Sequence, residues 1–292
     1  MKKIIKRRSQ LYVPGNSPSM LQNCMVFGAD GVLLDLEDSV SIYQKDSARL
    51  LVSEALSFLD FKDIEVVVRI NAIDTPFCKD DLEAIIPLKP DAIRLPKTSS
   101  SEDIFNYEKL ISQIEEKNNI PIGTTKIVPM LETAIAIENA FDIAKSSSRI
   151  IAITIGGEDL TADMKVSRTR EGHELFWARA KVALAASAAK VAALDTVFSD
   201  INDEEGLRKD TQTIKELGFD GKACINPRQI QIIHEIFNPT EQEIERAIEI
   251  IKASKKKEGG VVSLNGKMID YPVVKRAELT LSRAGIDVST LI

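Results

Sequence analysis

Short runs of β-branched and aliphatic residues alternate along most of the chain with longer segments whose apolar positions recur at helical spacing, the pattern of strands each followed by an amphipathic helix. Strands are predicted at 10–13, 31–36, 66–70, 92–95, 126–130, 150–155, 193–198 and 221–225. Helices are predicted at 18–27, 45–59, 79–86, 102–118, 134–145, 174–190, 204–217 and 227–237. Eight such units in an α/β chain predict a closed (β/α)8 TIM-type barrel over residues 1–238. Residues 239–292 read differently, as a C-terminal helical and hairpin extension. A charged helix over 240–257 leads to a Gly259-Gly260 hinge, a β-like stretch at 261–264, an Asn265-Gly266 turn and a last helix from Pro272. Such a tail can be a lid, a subunit-swapping arm or a plug beneath the barrel, and its composition does not choose among them.

Composition narrows the class. The 292 residues are 44% hydrophobic and 28% charged, enough apolar material for one large core and too much for disorder. No stretch approaches the roughly 18 consecutive apolar residues of a membrane helix, and Met1 to Arg8 is basic with no apolar run behind it, so a cytoplasmic protein is expected. A net charge of −6 argues against a nucleic-acid or anionic-membrane surface. The basic N-terminus and Lys255 to Lys257 read as solvated surface, although either cluster could greet an anionic cofactor. Cys24, Cys78 and Cys224 are widely spaced, which favours buried thiols over disulfides or a thiolate metal site. His173 and His234 lack metal-ligand spacing.

Active sites of this fold lie at the C-terminal ends of the strands, and the ionisable residues fall there. Asp35, Glu37 and Asp38 follow the second strand, Arg69 and Asn71 the third, Lys97 the fourth, Glu132 the fifth, Glu158 and Asp159 the sixth, and Asn226 the eighth. Glu132 and Asp159 follow adjacent strands, which lie about 4.8 Å apart in a sheet. They can share one hard cation, Mg²⁺, completed by water and substrate, or merely charge the starts of a helix and a turn. Arg69 ends an apolar strand, where a guanidinium needs an anion: Asp35 or Glu37, or a substrate carboxylate. Lys97 is a candidate Schiff-base amine or an ordinary ion-pair partner. Pro14, Gly15 and Asn16 free the backbone at a strand end where an anionic cofactor can meet N–H groups.

As a set, the motifs Val13-Pro14-Gly15-Asn16, Asp35-Leu36-Glu37-Asp38-Ser39-Val40, Val68-Arg69-Ile70-Asn71, Leu95-Pro96-Lys97, Leu131-Glu132-Thr133, Gly157-Glu158-Asp159 and Ile225-Asn226-Pro227 resemble the citrate lyase β-subunit family. The resemblance runs from about Arg7 to Ala277 and includes Gly266-Lys267-Met268-Ile269-Asp270 in the tail. It departs from the usual pattern at Ser39 and Gln44, beside the site. The resemblance implies a Mg²⁺-dependent carbon–carbon lyase acting on a citryl thioester carried by CoA or an acyl carrier protein. It implies Glu132 and Asp159 as metal ligands, with Glu132 also facing substrate, and Arg69 on the substrate carboxylate. Glu37 or Glu158 is then the candidate base, and Asp270, from a neighbouring subunit, the proton donor. It further implies a homotrimer or larger assembly with α (transferase) and γ (acyl carrier) subunits. A malyl-CoA or methylmalyl-CoA type lyase, or a thioesterase, is the same-scaffold alternative. A Lys97 aldolase and a non-catalytic docking subunit are the others.

Overall fold

The computed structural model describes residues 6–255, 262–264 and 267–291. Eight parallel strands close into a barrel in chain order: β1 (Ser9–Pro14), β2 (Gly31–Asp35), β3 (Glu65–Arg69), β4 (Ala92–Leu95), β5 (Lys126–Leu131), β6 (Ala152–Ile155), β7 (Ala192–Asp195) and β8 (Gly221–Cys224). The ring shuts where β8 pairs with β1, Ser9 opposite Lys222. Between and after the strands run α1 (Pro18–Asn23), α2 (Lys45–Phe58), α3 (Cys78–Ile85), α4 (Ser101–Lys117), α5 (Ala134–Glu138), α6 (Ala140–Lys145), α7 (Gly157–Asp163), α8 (Phe176–Ala189), α9 (Glu204–Leu217) and α10 (Arg228–Phe237). The TIM-type barrel read from the alternation is therefore the fold. Local signals place the helix ends. Ser100 and Asp103 make a reciprocal capping box on α4, and α9 runs from its Asp203 cap to Gly218, whose φ of +97° few other residues adopt.

The helical pattern misleads in the middle of the chain. The segment expected as one helix over 134–145 breaks at Asn139 into α5 and α6, and the Asn139 amide donates to the Ser99 carbonyl at 2.9 Å. α7, read in sequence as a turn, carries Glu158 and Asp159 in its first turn. A 3-10 turn, His173–Leu175, then precedes α8, which starts later than expected.

Leu33, Val67, Ala92, Val128, Ala152 and Leu194, one from each of six successive strands, form a buried apolar layer against which Tyr12 packs. Side chains two apart on a strand share a face. The next inward positions are Asp35, Arg69 and Arg94, mutually in register. The barrel interior thus turns from apolar to charged toward its C-terminal mouth.

Ion pairs also tie the wall to its helices. Arg179 of α8 grips Asp195 and Asp210, and Lys222 reaches the same two carboxylates at 2.6 Å each. At the opposite end Arg7 pairs with Glu65 and Arg8 with Asp30, so these two N-terminal cations serve the barrel rather than a ligand. Met1–Ile5 and Lys256–Lys257 lie outside the described residues. The three cysteines are free and buried, and the His234 Nε2 shares a hydrogen bond of 2.7 Å with Ser9. No helix among the described residues is long and apolar enough to cross a membrane.

Glu115 supplies an acid-stability test. Burial alone would raise its pKa, but hydrogen bonds from Arg149, Thr125 and Gly123 pull it down to about 2. A carboxyl whose folded pKa lies below its unfolded value stabilises the fold above the unfolded pKa, and that stability is lost as pH falls through the folded one. Melting of Glu115→Gln should therefore converge on wild type between pH 4.5 and about 2, and the variant should be the less stable at pH 7. A constant difference across that window would remove Glu115 from the acid transition.

The chain divides into two compact units between His234 and Glu235, within α10 and slightly before the expected boundary at 238. The second unit holds α11 (Glu241–Lys255), the antiparallel pair β9 (Val262–Leu264) and β10 (Lys267–Ile269), and α12 (Tyr271–Arg283). Ala247, Ile251, Ala277 and Leu281 form its own core. The expected Gly259-Gly260 hinge and Asn265-Gly266 turn lie outside the described residues.

Candidate active site

At the barrel mouth the end of β3 meets the end of β2. The Arg69 Nε and one terminal nitrogen each reach an oxygen of Asp35 at 2.7 Å, a bidentate pair of two buried side chains. The other terminal nitrogen lies 2.8 Å from Glu37 and 3.4 Å from Asp38. Of the two readings left open for Arg69, the intramolecular partner is therefore present. Asp35 also accepts the Glu37 and Ser39 N–H groups, so one carboxylate sets both the guanidinium and the loop carrying Glu37. Burial would raise the Asp35 pKa, but Arg69 holds it below the usual carboxylate range. Lys45, a buried amine the sequence did not single out, donates to the Leu36 and Glu37 carbonyls at 2.8 and 2.7 Å. Asn71 braces the same loop by donating to the Leu36 carbonyl and to Asp81.

Glu37 is 5% exposed, and its Oε2 has no hydrogen-bond donor of good geometry. Burial pushes its pKa up to about 8; Arg69 opposes the shift, while Asp38, Glu132 and Asp35 reinforce it. Glu132 behaves similarly. Burial raises it to about 7, the Lys97 N–H counters, and Asp159 adds to the rise. Its Oε2 accepts that N–H at 2.8 Å, and its Oε1 is buried without a partner.

β5 and β6 place the second carboxylate. Leu131 pairs with Ile155, so the residues that follow, Glu132 and Gly156, are neighbours, and Asp159 comes next in the first turn of α7. A Cβ on Gly156 would sit 2.4 Å from the Glu132 Cγ and 2.7 Å from the orphaned Oε1. Only glycine lets the strands close on this carboxyl. Among the described residues no group of three His, Cys, Asp or Glu gathers, but Mg²⁺ characteristically takes one or two carboxylates and fills the rest with water and substrate. An all-oxygen pair with one buried, unsatisfied acceptor fits that ion. Gly156→Ala should keep the barrel but weaken Mg²⁺ binding by about 10 to 100-fold, the usual cost of disturbing a ligand's support. Calorimetric titration with Mg²⁺ checks this, and unchanged affinity would separate Gly156 from the cation site.

A cavity of about 400 Å³ opens here, lined by Tyr12, Asp35, Arg69, Met130, Asp159 and Thr196 among others. Pro14 and Glu158 also line it. Two expectations change in this setting. Glu158 is exposed and paired with Arg168 at 2.9 Å, whereas Glu37 is buried. Lys97 contributes its backbone N–H while its side chain is exposed, not the desolvated amine that Schiff-base chemistry requires. Gly15 donates its N–H to the Asp35 carbonyl at 2.8 Å, and Asn16 donates to Gln44 at 2.7 Å. Asp270 belongs to the C-terminal unit, where its carboxylate caps α12 by accepting the Val273 N–H. The larger groove, about 670 Å³, lies in that same unit between α11 and α12 and gathers no strand-end carboxylates.

Comparison with known proteins identifies the family. The model of the HpcH/HpaI aldolase/citrate lyase family matches residues 8–227. A citrate lyase subunit beta of Leuconostoc mesenteroides subsp. cremoris is 47% identical over 95% of this chain and 93% of its own. An L-malyl-CoA/beta-methylmalyl-CoA lyase of Cereibacter sphaeroides is 31% identical over 95% and 94%. Among solved structures, the protein CitE from Mycobacterium tuberculosis, in complex with magnesium, acetoacetate and coenzyme A, superposes with a TM-score of 0.80 at 31% identity, covering 96% of this chain and 98% of that one. A strand-end carboxylate pair on a closed barrel, matched by one family model over most of the chain, places this protein in the HpcH/HpaI aldolase/citrate lyase family.

Proposed function

We propose that the chain is a Mg²⁺-dependent carbon–carbon lyase that cleaves a citryl thioester, on CoA or an acyl carrier protein, to oxaloacetate and an acetyl thioester. The observation that carries the reading is the buried Glu132 with its unsatisfied oxygen, set against Gly156 and followed by Asp159 at the mouth of the barrel. The 47% identity to a citrate lyase subunit beta supports the citryl group over the malyl group. By the same likeness the chain works in the cytoplasm, in an assembly with α (transferase) and γ (acyl carrier) subunits.

Glu132 and Asp159 would hold Mg²⁺, which when bound supplies positive charge that acidifies a nearby hydroxyl and offsets the acidic mouth. Glu37 takes the proton of the tertiary hydroxyl. A carboxylate made more basic by burial is a better acceptor than an ordinary one. As that proton leaves, the hydroxyl carbon becomes the carbonyl of oxaloacetate, the adjacent carbon–carbon bond breaks, and its electrons pass into the thioester enolate. Asp35 occupies one edge of Arg69, through Nε and one terminal nitrogen, and the other terminal nitrogen, beside Glu37 and Asp38, meets a substrate carboxylate. Asp270 of a neighbouring subunit returns a proton to the enolate carbon. The Pro14, Gly15 and Asn16 turn borders the path of the carrier arm.

Purified chain should release oxaloacetate from citryl-CoA in a coupled assay with Mg²⁺ and stop when EDTA is in excess. Release of glyoxylate from malyl-CoA at a higher kcat/KM would move the assignment to the malyl class. Turnover that survives EDTA would overturn the metal reading.

A further inference from the structure

Arg94 is a buried cation of the barrel interior, 1% exposed, and among the described residues no carboxylate lies within ion-pair distance of it. Its partners are neutral: one terminal nitrogen donates to Gln10, the other to the Tyr12 hydroxyl at 3.2 Å, and its Nε has none. Arg69, one strand away, is matched by Asp35, Glu37 and Asp38. The nearby Glu65 is taken by Arg7. A buried guanidinium without a matching anion is destabilising unless an anion approaches it. The mouth of the site therefore carries excess negative charge and its floor an excess positive one.

Tyr12 joins the two. It packs on the apolar layer, lines the cavity, and has the Arg69 guanidinium 5.2 Å and the Arg94 guanidinium 5.9 Å from its ring centre. A guanidinium only donates, so the Tyr12 oxygen is the acceptor from Arg94 and its own proton must go elsewhere. No acceptor for that proton stands among the described residues. We infer that the Tyr12 hydroxyl, held and polarised by Arg94, binds the distal carboxylate of a dicarboxylic hydroxy or oxo acid and so sets the preference of the site for such acids. The inference rests on the lyase reading and sharpens it. The oxo acid released from a citryl group has a second carboxylate, and the one released from a malyl group does not. Tyr12 is the specificity-determining contact and Arg94 its positioning residue.

The test uses two stable probes that differ by the distal carboxylate, malate and lactate, titrated calorimetrically into the full chain with Mg²⁺ present. Wild type should bind malate at least about tenfold more tightly, the worth of one hydrogen bond to a charged group. Tyr12→Phe should abolish that preference while leaving lactate affinity unchanged. Arg94→Met should reduce the preference and Arg94→Lys recover part of it, with circular dichroism reporting the fold of each. An unchanged preference in Tyr12→Phe, or equal affinities in wild type, would overturn the inference and leave the lyase reading standing. If wild type bound neither acid, the inference would fall, and the lyase reading would be decided by the citryl-CoA assay alone.

Discussion

Glu132→Gln should lose Mg²⁺ binding and lower kcat/KM by about a thousandfold or more, with the melting temperature close to wild type. A bound cation contributes several kcal/mol of charge stabilisation, and each 1.4 kcal/mol is about tenfold in rate. Gln keeps the volume beneath Gly156 and an oxygen to accept the Lys97 N–H, so the strand ends should stay closed. What disappears is the charge on a buried acceptor that no protein donor satisfies. Three readings separate a lost ligand from a lost fold: calorimetric Mg²⁺ affinity, oxaloacetate release, and thermal melting by circular dichroism. Wild-type Mg²⁺ affinity in this variant would show that the cation is held elsewhere, and the role of Asp159 would go with it.

The barrel was legible because alternation is a long-range regularity. Each strand needs only a few apolar residues to be recognised, and eight repeats of the unit leave few other ways to bury them. Glu132 and Asp159 could be paired from the same regularity, since consecutive strands of a parallel barrel are neighbours. Single side chains at the mouth were less legible. Glu37 and Glu158 are both strand-end glutamates, yet one is nearly fully buried and the other is exposed beside Arg168. The difference arises from α7, a helix of seven residues opened by two glycines, too short for periodicity to show. Tyr12 and Arg94 read in sequence as ordinary strand residues, and Lys45 as an ordinary first-turn helix residue. For Tyr12 and Arg94 the importance lies in what they face across the barrel, at sequence separations of 82 and 84 for the Arg94 bonds, which no local pattern reports. Gly156 carried only a weak signal because the close approach that requires glycine involves Glu132, just past the end of the preceding strand.

Glu37→Gln should lower kcat by about 10² to 10⁴-fold, the range for removing a positioned general base, while Mg²⁺ affinity changes little. Base catalysis needs the ionised carboxylate, so the wild-type rate should rise with pH through an acid limb set by Glu37, whose pKa stands at about 8 without a cation nearby. A neighbouring divalent cation favours the charged form, and raising Mg²⁺ should move the limb to lower pH. Glu37→Gln should lack that limb. Stability runs the opposite way. A carboxyl whose folded pKa exceeds its unfolded value binds more protons when folded, so its ionisation works against the fold from pH 4.5 up through about 8. The metal-free variant should therefore melt at or above the wild-type temperature at pH 8, with no advantage at pH 4. A gain in stability joined to a loss of turnover marks a residue held in a costly state for chemistry. If the acid limb persisted in Glu37→Gln, the proton would have to be taken by another group.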